Sequence, residues 1–102
     1  MEEIRRQVGE FCRRGDFTGA IKLAMKSWKS AELEYGREHP VTAEYMIIFA
    51  DAAKYAQKFH LAEAFYTRAL AIKQKALGIS HPDVERCRIS LTDLVRNAHE
   101  YD

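Results

Sequence analysis

The sequence predicts an all-α chain of antiparallel helices built from a duplicated helix–turn–helix unit of 42 residues. Three observations carry this. The only two prolines, Pro40 and Pro82, stand 42 residues apart, and each follows a histidine. Gly36 keeps phase with Gly78, Phe17 with Phe59 and Tyr101, and Ala20 with Ala62, while Ile47, Phe49 and Asp51 match Ile89, Leu91 and Asp93 in type. Apolar residues recur at three- and four-residue steps, and no segment alternates at period two for long enough to make a sheet. A period of roughly 20–50 residues is the mark of stacked supersecondary units.

Punctuation sets the elements in order. The first helix spans about 2–14 and ends at the short turn Gly15-Asp16-Phe17. The second runs over 17–35 and closes at Gly36, because glycine takes the left-handed conformation of a helix end without penalty. Glu38-His39-Pro40 is the corner that follows, since proline cannot continue a helix but suits the first turn of the next. The third helix covers 40–57, with Lys58-Phe59-His60 as its turn. The fourth, 60–77, has the clearest apolar stripe: Leu61, Phe65, Tyr66, Ala69, Leu70, Ile72, Lys73, Ala76 and Leu77. Gly78 closes it, Ser80-His81-Pro82 repeats the corner, and the fifth helix occupies 82–99.

Composition bounds the function. A chain of 102 residues makes one domain, 1–102. Sixteen basic against fifteen acidic side chains leave a net charge of +1, which argues against a broad nucleic-acid or membrane-surface footprint. No apolar run nears the roughly 20 residues of a membrane span. The N-terminus Met1-Glu2-Glu3-Ile4-Arg5-Arg6 lacks a secretory apolar region, so the expected address is the cytoplasm. Cys12 and Cys87 lie in different segments and form no metal-ligand pair; two free thiols are the default reading, with a disulfide between them left open. His39 and His81 are one structural residue repeated, and His60 and His99 sit near helix ends. No histidines stand at i, i+4, the five glycines are scattered, and no nucleophile has a placeable base. No enzyme, cofactor or metal is expected. Trp28, the sole tryptophan, reads as a core residue or a partly exposed aromatic on the convex side.

The stretch Ala62-Glu63-Ala64-Phe65-Tyr66-Thr67-Arg68-Ala69-Leu70-Ala71-Ile72-Lys73-Gln74-Lys75-Ala76-Leu77-Gly78-Ile79-Ser80-His81-Pro82-Asp83-Val84 resembles the second helix and corner of a kinesin light chain type tetratricopeptide repeat, whose period is also 42 residues. The resemblance covers nearly the whole chain as about two and a half repeats, implying a small α-solenoid. It implies that Ala62, Tyr66 and Ala69 pack the two helices of a repeat together, with Ala20, Ala24 and Ser27 in the same slots one repeat earlier. The chain also departs from the family. The paired asparagines that face a peptide groove there are replaced here by Ile47 and Ile48, and by Ile89 and Ser90. Arg5 and Arg86 fit two basic slots of the clamp some relatives use on C-terminal carboxylates, but Gly9, Ile48 and Ser90 occupy the others, so that clamp is not implied.

What the resemblance does imply is a protein-interaction module with a concave groove lined by the first helix of each repeat. Tyr45-Met46-Ile47-Ile48-Phe49-Ala50 is apolar all round, and the mapping points Ile47 and Ile48 into the groove as anchors for a partner peptide or helix. The same mapping adds Arg5, Arg6 and Arg13 from the first helix, Asp51, Lys54 and Tyr55 from the third, and Arg86, Ile89, Asp93 and Arg96 from the fifth. Arginines around an apolar floor suit a partner with a hydrophobic anchor flanked by acidic residues. The competing expectation is a structural subunit of a larger assembly. The fifth helix lacks a following partner helix, which would leave Leu94, Val95 and Ala98 uncovered on one side and open to self-association.

Overall fold

A computed structural model describes residues 1–100, with side chains as far as Asn97. They form α1 (Glu2–Arg13), α2 (Phe17–Tyr35), α3 (Pro40–Tyr55), α4 (Phe59–Leu77) and α5 (Pro82–Glu100), with no strand among the described residues. Each helix packs on the one before it, and α1 also reaches α3. The Cα slab measures 35 × 33 × 18 Å, a thickness of two helix layers at interaxial distances of roughly 8–10 Å.

Helix ends repeat with the 42-residue period. At the end of α1, Gly15 has φ +77°; its N–H donates to the Cys12 carbonyl at 3.0 Å and the Asp16 N–H to that of Phe11 at 2.8 Å. At the end of α3, Gln57 takes the same role with φ +63°, donating to Lys54 at 2.9 Å, while the Lys58 N–H reaches Ala53 at 2.8 Å. Both are the closed αL ending of a helix. The sequence expectation of a helix to 57 and a turn at 58–60 is corrected by this: the turn is Ala56-Gln57-Lys58, and Phe59 and His60 already belong to α4. A side chain at φ +63° costs about 1 kcal/mol that glycine avoids. Gln57→Gly is therefore expected to stabilise the chain by about 0.5–1 kcal/mol. A thermal melt lowered by that change would show that the side chain makes a compensating contact.

Helix starts repeat as well. The His39 Nδ1 accepts from the Val41 N–H at 3.0 Å, and the His81 Nδ1 from the Asp83 N–H at 3.1 Å, so both corner histidines are helix caps, each opening onto a proline. Asp16 caps α2 through the Gly19 N–H at 2.9 Å, whereas its counterpart Lys58 makes no side-chain cap on α4. Gly36 and Gly78 close α2 and α4 with φ +101° and +91°, and the buried Thr42 hydroxyl donates to the Gly36 carbonyl at 2.7 Å, fastening the corner.

Small residues let the helices approach. Ala20, Ala24, Ala62 and Ala69 are wholly buried, and a Cβ on Gly19 would lie 2.8 Å from the Phe11 ring. Between the repeats, Trp28 stands edge-on to Phe65, with centroids 4.9 Å apart, and Phe65 lies 4.5 Å from Phe49. The buried Trp28 Nε1–H finds no acceptor among the described residues. Both thiols are free, Cys87 in the core and Cys12 half-buried.

Candidate functional site

α3 is covered by α2 on one side and α4 on the other, and most of its circumference is buried. Its open stripe carries Glu44 and Ile47, one turn apart. Opposite them Arg5 comes from α1, Lys73 from α4, and Asp83, Arg86, Cys87 and Ser90 from one face of α5 at i, i+3, i+4 and i+7. Together they bound a cleft of about 420 Å³.

Charges in the cleft are organised around two carboxylates. Glu44 accepts from the Lys73 ammonium and, at 3.4 Å, from the Arg5 guanidinium. Lys73 is only 4% exposed, and burial pulls its pKa below the ordinary lysine value. Asp83 accepts from Arg86, and that hydrogen bond holds its carboxyl below the usual range. Three cations thus face two anions around the half-buried Ile47.

Of the residues expected at a groove, Arg5, Ile47 and Arg86 line this cleft. Ile48 does not. It is 2% exposed and packs with Val8, Ala20, Ala24, Phe49 and Ala52, because one residue of rotation on α3 turns a side chain by about 100°, from the cleft into the α1–α2 core. Arg6 is engaged along its own helix, bonded to Glu3 and, at 2.8 Å, to Glu10. Arg13, Asp93 and Arg96 are exposed, Ile89 is 51% exposed on α5, and the Lys54 ammonium sits 5.3 Å from the ring centroid of the exposed Tyr55; none of these lines the cleft. Leu94 also departs from its expected place. It is 1% exposed, covered by Ala50, Ala53, Ala62 and Tyr66, so α5 needs no further helix to bury it. Val95 is half-buried, and the Ala98 side chain lies outside the described residues.

Glu44, Lys73, Asp83 and Cys87 were not anticipated in the cleft, whereas Ser90 falls in a slot that the resemblance turns towards a groove. One signal existed for Lys73: a lysine inside the apolar stripe of α4 must find a carboxylate or stay unpaired in the core.

Asp51 lies deeper on α3, half-buried, and accepts from the Tyr66 phenol. Burial raises its pKa above the ordinary aspartate value, outweighing the lowering by that hydrogen bond, Lys54 and Arg5. The folded state therefore binds the Asp51 proton more tightly than the unfolded state does. Stability is higher at acid pH and falls as pH rises from the unfolded value through the folded one. Asp51→Asn keeps an acceptor for Tyr66 and removes the charge. A higher melting temperature than the parent at pH 7 is expected, with the gap closing near pH 3. A gap independent of pH would show that ionisation of Asp51 costs nothing.

No group of His, Cys, Asp and Glu among the described residues could hold a metal ion, and no described helix is long and apolar enough to cross a membrane. Residues 2–75 match the family model of the tetratricopeptide repeat, and no curated protein matches the chain.

Proposed function

We propose, from the premise that this chain belongs to the tetratricopeptide repeat family, that it is a cytoplasmic, non-enzymatic interaction module receiving a partner peptide or helix in the cleft between α1, α3 and α5. Repeats of this family mediate protein–protein interaction or scaffolding. The observation that carries the reading is the convergence of Arg5, Ile47 and Arg86, from three separate helices, on one cavity. The partner would set an apolar side chain against Ile47 and carboxylates against Arg5 and Arg86, whose side chains are 43% and 77% exposed. Charge-assisted pairs of this kind specify a partner and speed its arrival.

The test begins with capture of binding proteins by the intact chain. Affinity for the captured partner is then compared in Arg5→Glu/Arg86→Glu, which changes two exposed residues; each change sets a carboxylate beside Glu44 or Asp83, so a modest lowering of the melt is expected while the chain stays folded. A loss of roughly tenfold or more is expected, since reversing a rim charge at a complementary interface costs on the order of 1–2 kcal/mol. Undiminished affinity in the folded double variant would place the binding surface elsewhere.

A further inference from the structure

The charges of the cleft largely satisfy one another; those on the outward side of α2 and α4 do not. Arg68 and Lys75 stand two turns apart on α4, and Arg37 in the α2–α3 corner joins them around a second cavity of about 520 Å³, floored by Ala71 and Ile72 and bearing one carboxylate, Glu38. The Arg68 guanidinium is held 5.7 Å from the centroid of the Phe65 ring, a contact that positions it without neutralising it. One repeat earlier the same outward face of α2 carries Lys22, Lys26 and Lys29 beside Leu33, which is 90% exposed; Lys26 occupies the position that Arg68 holds in the second repeat. All six cations are exposed, and among the described residues none of them is in an ion pair. A chain of net charge +1 has thus set uncompensated positive charge on its outer face, next to apolar side chains.

We propose that this outer face is a second docking surface, distinct from the cleft, for an acidic peptide segment of a protein partner, with the Arg37–Arg68–Lys75 cavity taking its carboxylates. Charge complementarity selects the occupant: guanidinium groups suit bidentate carboxylates, and Ala71 and Ile72 give an apolar side chain of the segment a floor. A lipid surface is the poorer fit, because Leu33 and the half-buried Met25 beside the lysines do not make the broad Trp, Phe and Leu face by which interfacial helices insert.

The probe is an acetylated decapeptide of glutamate and aspartate with one leucine, titrated into the ¹⁵N-labelled full chain. Amide shifts are expected at Arg37, Arg68, Ala71 and Lys75, with affinity falling as salt rises. Arg37→Gln/Arg68→Gln/Lys75→Gln, with all three changes at exposed positions, is expected to weaken binding at least about tenfold, with an unchanged circular-dichroism melt. Arg5→Glu/Arg86→Glu should leave it untouched, which separates this surface from the cleft. Shifts confined to the cleft, or equal binding by the triple variant, would overturn the proposal. So would retention on phosphatidylserine vesicles that the peptide fails to displace, which would assign the face to lipid.

Discussion

Ile48→Asp is expected to unfold the chain. Ile48 is 2% exposed and surrounded by Val8, Ala20, Ala24, Phe49 and Ala52, none of which can pair with a carboxylate. Removing a buried isoleucine forfeits about 2–3 kcal/mol of apolar burial. Placing a charge in its stead adds several kcal/mol more, or forces the new carboxyl to stay protonated. Domain stability is typically about 5–15 kcal/mol, and a chain this short belongs near the lower end. The combined cost should remove most or all of the cooperative circular-dichroism transition at neutral pH. Ile48→Val, by contrast, should cost only about 1 kcal/mol. A native-like melt for Ile48→Asp would mean that position 48 reaches water and belongs to the cleft after all.

The second large effect is an asymmetry within one ion pair. The Lys73 side chain is 5% exposed and that of Glu44 28%, so the two partners are not equivalent. Glu44→Ala strands an ammonium in a mostly apolar setting and is expected to cost about 2–3 kcal/mol, tempered by water reaching the site from the cleft. Lys73→Met fills similar volume and leaves Glu44 with Arg5 and solvent; a change below about 1 kcal/mol is expected. The pH dependence follows from the lowered pKa of Lys73. A neutral lysine amine favours the folded state, so stability is recovered as pH rises through the folded pKa towards the unfolded value of about 10.4. The deficit of Glu44→Ala should therefore shrink in alkaline buffer. Equal costs for the two substitutions at pH 7 would show that the pair is solvated on both sides.

The helices and corners were legible because their signals are local. Proline, glycine and histidine act on the backbone beside them, and a 42-residue spacing shows them twice. Gln57 was harder to see, since nothing in a glutamine announces a positive φ; only its register with Gly15 does. The direction of Ile48 was not legible. In the run Tyr45–Ala50 every position is apolar, so periodicity cannot tell the side facing α1 and α2 from the side facing the cleft. Leu94 was misplaced for a related reason: counting helices leaves α5 without a successor, yet its inner face is closed by residues of α3 and α4 from the preceding repeat. The Glu44–Lys73 pair joins positions 29 apart on different helices, a relation that exists only once the chain has folded.

Trp28, the sole tryptophan, stands where α2 of one repeat meets α3 and α4 of the next, against the rings of Phe49 and Phe65. The molecule consequently carries its own optical gauge of the seam between repeats. Backbone ellipticity sums over all five helices, whereas indole emission responds to this one junction. In linear arrays each unit leans on its neighbours, and separation at a seam can precede melting of the units themselves. Coincident midpoints by the two signals would mark a chain that dissolves as one body. An earlier fluorescence midpoint would mark a hinge at Trp28, with two helical halves outliving their union.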